Sequence, residues 1–132
     1  MIEIPAKYAD LLTDKTKAFA SCATIMKDGS PQVTPVWFDM AGEKIRINTA
    51  TGRVKSRNMK EGSKVALAII DPDNPYRYIQ IRGKVTKATQ TGANEHIDKL
   101  SHKYMGKDYP LHQPGESRIT MEIEPESVQA MG

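Results

Sequence analysis

The residues best suited to chemistry in this chain form one basic run, Thr49-Ala-Thr-Gly-Arg-Val-Lys-Ser-Arg-Asn58. Thr49 and Thr51 carry hydroxyls, Gly52 frees the backbone, and Arg53, Lys55 and Arg57 bring full positive charges. A strand end followed by a glycine and a helix start presents unpaired N–H groups and a partial positive charge. Both attract phosphate oxygens, and charge-assisted bonds from Arg and Lys strengthen the grip. Arg53 and Arg57 share a helix face at i, i+4, whereas Lys55 projects elsewhere if the helix starts at Arg53. The residues alone fit a phosphate cradle and a solvated basic surface helix equally well.

Two further runs carry candidate ligand contacts. In Val33-Thr-Pro-Val-Trp-Phe38 a proline stands in a β-rich run beside the only tryptophan, Trp37. Pro35 has no N–H to give, so its strand lies at an edge, at a bulge or beside a ligand; plain core packing with an edge proline is the simpler alternative. In Tyr76-Arg-Tyr-Ile-Gln-Ile-Arg82 the tyrosines beside arginines suit either an aromatic ligand or a subunit interface, or they cap the fold while the arginines stay wet. Other chemistries find little support. His96, His102 and His112 lack metal-ligand spacing and read as solvent-exposed, and Asp71 and Asp73 are explained by turn chemistry around Pro72. No Ser elbow, Cys–His pair or P-loop motif is present. An enzyme with so few reactive side chains borrows its chemistry from a cofactor.

The elements that must position these runs follow from periodicity. Residues 5–14 predict a short helix, with Tyr8, Leu11 and Leu12 on one face. Residues 18–26, 32–39, 43–49, 64–70, 76–88 and 117–124 predict strands, the first two joined by a turn at Asp28-Gly29. A basic helix is expected over 53–60, and another over 92–104 with Ile97, Leu100 and Tyr104 inward. Gly83 marks a bulge or bend. The expectation is a mainly β domain with α over residues 1–132: a six-stranded antiparallel barrel, closed or nearly so, with two or three packed helices.

Composition bounds the class. The chain has 132 residues, 39% of them apolar and 27% charged, enough for one globular core. The lone Cys22 cannot make an internal disulfide, and its apolar neighbours suggest a buried thiol. No apolar run reaches the ~20 residues of a membrane span, and no signal peptide is evident, so a soluble cytoplasmic protein is expected. Seven of the 19 basic residues lie between Glu43 and Lys64 with only two of the 16 acidic ones, which favours a local anion site. A small β-barrel binding single-stranded nucleic acid is disfavoured, because the charge is concentrated and aromatic residues are only 6%.

Taken together, Asp28–Phe38, Ile47–Asn58, Asp71–Tyr78, Ile81–Gly83, His96–Leu100 and Lys103–Gly106 resemble the pyridoxamine-phosphate-oxidase-like, FMN-binding split-barrel superfamily. The likeness is closest to its small branch of deazaflavin (coenzyme F420)-dependent oxidoreductases and runs nearly end to end. It implies a six-stranded split β-barrel that forms a homodimer with cofactor sites at the interface. It implies that Arg53, Lys55 and Arg57, with Asn58 and the backbone of Thr49, Ala50, Thr51 and Gly52, hold the cofactor phosphate. Thr34, Pro35, Val36 and Trp37, with Asn48 and Thr49, would line the ring, and Tyr76, Tyr78 and Gln80 would arrive from the partner. The cofactor expected is coenzyme F420, with FMN as the alternative, and the substrate a flat conjugated small molecule. The basic C-terminal extension of the true pyridoxamine phosphate oxidases has no counterpart after Ile119–Ile123, so that substrate is not expected.

Overall fold

The computed structural model describes residues 2–51 and 58–132. Pro5 opens the expected short helix, which is of the 3-10 kind and spans Ala6–Leu12. Tyr8 and Leu11, three apart, eclipse on this tighter spiral and are the residues it buries. Among the described residues seven strands follow, with an α-helix before the last: β1 (Ala20–Ile25), β2 (Pro31–Val36), β3 (Asp39–Ala41), β4 (Lys44–Ala50), β5 (Lys64–Asp71), β6 (Asn74–Thr89), α1 (Ala93–Met105) and β7 (Arg118–Met131). All pairings are antiparallel, in the order β2-β1-β5-β6-β7-β4-β3.

That order explains the shape. β2 and β3 stand at opposite ends of the sheet, yet only Trp37 and Phe38 separate them. Such a link spans at most about 11 Å, so the two ends must curl toward each other. No ladder joins β2 to β3 among the described residues, and the result is a split, unclosed barrel. Strong twist in β6 assists the curl, through register shifts at Arg82/Gly83 and Val85/Lys87. At the first of these a Cβ on Gly83 would collide with the Glu124 carbonyl oxygen.

The count of seven strands instead of six has a local cause. Residues 32–39 read as one strand, but the chain turns a corner at Trp37 and Phe38 and starts β3. The corner's backbone is satisfied by α1 in place of a neighbouring strand. Lys103 Nζ donates to the Phe38 carbonyl at 2.9 Å, and the Tyr104 hydroxyl accepts from the Phe38 N–H at 3.4 Å while donating to Ala18 O at 2.6 Å. β6 and β7 are longer than expected, and their pairing runs as far as Tyr78 opposite Met131.

Inside the barrel Phe38, Ile45, Ile47, Leu67, Ile69, Ile79, Ile81, Met121 and Ile123 are almost fully buried, along with Cys22. Each of the large side chains contributes roughly 1.5–3 kcal/mol by leaving water, which lets a domain without disulfides hold together. The helix α1 ends in a glycine cap, Gly106, whose left-handed backbone returns its N–H to the carbonyls of Ser101 and His102. No helix among the described residues is long and apolar enough to cross a membrane.

Candidate functional site

Among the described residues β2 is an edge strand, paired with β1 alone. Pro35 therefore costs no ladder bond, and the open side of β2 leaves backbone groups free for a ligand. At its end Trp37 stacks on Tyr104 of α1, centroids 5.3 Å apart and planes 10° from parallel. Tyr104 stacks in turn on Phe19 at 5.2 Å, and Tyr109 meets Trp37 edge-on at 6.1 Å. Burial pushes the Tyr104 hydroxyl up to about 12, so it remains a neutral tether for the corner.

These rings border a cleft of about 280 Å³ between the β2 corner, β4, α1 and the segment 106–117. Its lining includes Phe19, Pro35, Val36, Trp37, Tyr109 and Leu111, with Asn48 and Arg118 as its polar members. An apolar hollow with a few convergent polar groups is the ordinary form of a small-molecule site. Its size is near the lower end of the usual range of about 300–1,000 Å³, which suits one planar ring system. The Thr34 hydroxyl, one residue from this lining, is buried with no hydrogen-bond partner among the described residues. An unmet buried hydroxyl costs about 1–3 kcal/mol.

Behind the cleft runs a buried polar chain. Asn48 Nδ2 donates to the Ala93 carbonyl at 2.8 Å and lies 3.3 Å from His96 Nδ1, while Asn48 Oδ1 accepts from Arg118 Nε at 2.9 Å. Thr120 Oγ1 is 2.9 Å from His96 Nδ1, and His96 Nε2 is 3.0 Å from Asp39 Oδ1. With Asn48 and Thr120 able to donate to Nδ1, the ring proton belongs on Nε2, facing the carboxylate. Asp39 also accepts two bonds from Arg46, at 2.9 and 2.6 Å, and one from Lys99 at 2.8 Å. Burial alone would raise the Asp39 carboxyl, but His96, Arg46 and Lys99 outweigh it and hold the group well below the usual carboxylate range.

The expected site residues divide into distinct sets. Pro35, Val36, Trp37 and Asn48 converge on the cleft, with Thr34 beside them. Thr49 points into the barrel at 1% exposure, and Ala50 is buried in the ladder opposite Arg118. Thr51 is exposed, its N–H bonded to Ser117 O at 2.8 Å. The Asn58 amide donates to Thr24 Oγ1 at 3.0 Å and to Met26 Sδ at 3.3 Å. Gly52, Arg53, Lys55 and Arg57 lie outside the described residues, as does most of the expected basic helix. Tyr78 and Gln80 line a separate hollow with Gln129, Ala130 and Met131, and Tyr76 is 76% exposed. One chain does not bring these three to the cleft.

The histidines need one correction. His102 and His112 are exposed, but His96 is buried at 4%, because Asp39 and Thr120 offer its ring two partners. The signal was present in the sequence: His96 precedes Leu100 by four and so shares its inward face. Arg118, Tyr109 and Asp39 also escaped the sequence reading, since their partners lie in other elements.

Comparison with known proteins is consistent across the whole chain. The family model described as pyridoxamine 5'-phosphate oxidase matches residues 4–132. Among solved structures, an F420 reductase superposes with a TM-score of 0.81 at 35% identity, covering 96% of this chain and 98% of that one. A putative pyridoxamine 5'-phosphate oxidase from Listeria innocua gives 0.70 at 17% identity, covering 97% and 98%. The FAD and heme binding protein from Mycobacterium smegmatis gives 0.67 at 15%, covering 98% and 71%. The last two show the shared fold alone. No curated protein matches the sequence.

Proposed function

We propose, from the premise that this chain belongs to the pyridoxamine 5'-phosphate oxidase family, that it is an oxidoreductase using coenzyme F420. The substrate in this reading is a flat conjugated small molecule. The observation that carries the proposal is the convergence of Pro35, Val36, Trp37 and Asn48 on one aromatic cleft. β4, which bears Asn48, leads directly into the basic segment 52–57. The likeness to an F420 reductase favours the deazaflavin over FMN.

The residues present fit such a group. Phe19, Trp37 and Tyr109 offer faces and edges for a planar ring, and the Tyr104 stack holds the Trp37 indole in one plane. Arg53, Lys55 and Arg57 would grip the phosphate. When bound, the cofactor supplies a hydride at its ring centre. The protein's part is to fix one ring in the cleft so that its reaction partner stacks against it about 3–3.5 Å away, with Tyr109 and Leu111 bordering the cleft. The described lining contains no carboxylate or imidazole, which leaves solvent and the Tyr109 phenol as sources of the accompanying proton.

A homodimer completes this reading. β5 is apolar on both faces, but one chain buries only Val65, Leu67 and Ile69. Ala66, Ala68 and the 40% exposed Ile70 face outward beside Ala23 and the exposed Ile25, a face suited to a second copy. Tyr76, Tyr78 and Gln80 would then reach the partner's cleft.

The phosphate grip has a direct test. Replacing Lys55 and Arg57 together by alanine should lower cofactor affinity at least a hundredfold while leaving the circular dichroism spectrum unchanged. Unaltered affinity in a folded double variant would reduce the basic segment to a solvated face.

A further inference from the structure

We propose that Arg118 is a ligand-binding residue, and that the cleft it lines selects a planar ring bearing a neutral hydrogen-bond-accepting oxygen at its edge. The proposal rests on the oxidoreductase reading and specifies the chemistry its cleft recognises. The Arg118 side chain is 4% exposed, a rare degree of burial for a guanidinium. Three contacts hold it rigid: Nε on Asn48 Oδ1 at 2.9 Å, Nη1 on Glu116 Oε1 at 3.0 Å, and Cζ above the Tyr109 ring at 5.2 Å. Asn48 is itself pinned by Ala93 O and His96. A guanidinium has five N–H donors, and Nη2 has no partner among the described residues. Such a side chain is a fixed donor waiting at the polar end of an apolar cleft.

The sign of the ligand follows from Glu116. Its carboxylate already balances Arg118, with a side chain only 9% exposed. A second anion in the cleft would bring an uncompensated charge into apolar surroundings, which is expensive. A carbonyl or amide oxygen takes the spare donor at no such cost. The cleft volume of about 280 Å³ limits the ligand to one ring system. That oxygen has two possible sources, the carbonyl edge of the cofactor's own ring or a substrate carbonyl, and the two are separable.

The test uses the full chain and the single indole N–H resonance of Trp37, which lines the cleft. Three probes of matched shape are titrated: 2-naphthamide, 2-naphthoate and 2-methylnaphthalene. The amide should shift the Trp37 resonance and bind at least tenfold tighter than either of the others. Arg118→Met should erase that advantage. Because this change strands Glu116 and can unfold the chain, Glu116→Gln is the second variant. It keeps the guanidinium and releases its charge, so the order should invert, with the naphthoate at least tenfold ahead. Equal affinities in the parent chain, or an unchanged order in Glu116→Gln, would overturn the assignment. Saturating deazaflavin then identifies the source: displacement of the amide means the cofactor edge, simultaneous binding a substrate subsite. If no cofactor binds while the amide still does, the oxidoreductase reading fails and the Arg118 assignment stands.

Discussion

At the scale of single residues, the firmest electrostatic feature is Asp39. Its carboxylate is 1% exposed and shared by His96, Arg46 and Lys99. Removing one member of a buried charged cluster typically costs about 3–5 kcal/mol. Lys99 is 52% and Arg46 23% exposed, so their freed charges can turn to water. Asp39→Asn should therefore fall at the lower end, about 3 kcal/mol, measured by urea unfolding at neutral pH. The pH dependence has a definite sign. Because the folded-state value is depressed, the stabilisation is complete above the unfolded carboxylate pKa near ~3.9 and drains away as pH falls toward the folded value. The Asp39→Asn variant should lose less stability than its parent between about pH 4 and pH 2. Equal acid sensitivity in the two would mean that the cluster is not the source.

At the scale of elements, the register between β6 and β7 depends on Gly83. The Glu124 backbone passes so close that no side chain fits there. Gly83→Ala should cost roughly 2 kcal/mol or more, seen as a lower midpoint in thermal unfolding; a neutral effect would show that the strands can part without penalty. This position was legible from the sequence, as a glycine inside an otherwise continuous strand. So were the alternation of Ile45 and Ile47, the inward face of α1 at Ile97 and Leu100 and, as one of three alternatives, the edge placement of Pro35. What escaped was non-local. The corner at Trp37–Phe38 exists because Lys103 and Tyr104, some sixty-six residues away in sequence, satisfy its backbone. The same holds for the site: the Trp37 side of the cleft was readable from an odd local motif, whereas Arg118, His96 and Asp39 gain their meaning only when β3, β4, α1 and β7 are packed together.

At the scale of the whole molecule, the barrel presents two unlike surfaces. One carries the aromatic cleft, and the other is the outward face of β1 and β5 with Ala23, Ala66 and Ala68. In the homodimer proposed above, a second copy covers the latter and lends Tyr76, Tyr78 and Gln80 to the cofactor site. If this proposal holds, the parent chain sediments as a dimer, and Ala66→Arg should convert it to monomer in sedimentation velocity and weaken cofactor binding in parallel. A variant that stays dimeric would move the interface elsewhere. The family, the split barrel and the cleft support one central claim, that this chain grips a deazaflavin by its phosphate and presents the ring to a flat substrate. Its most direct test is a fluorescence titration of the purified protein with coenzyme F420, FMN and FAD. The account predicts saturable binding of coenzyme F420, tighter than either flavin. Tight binding of FMN alone, or no binding of any of the three, would contradict it.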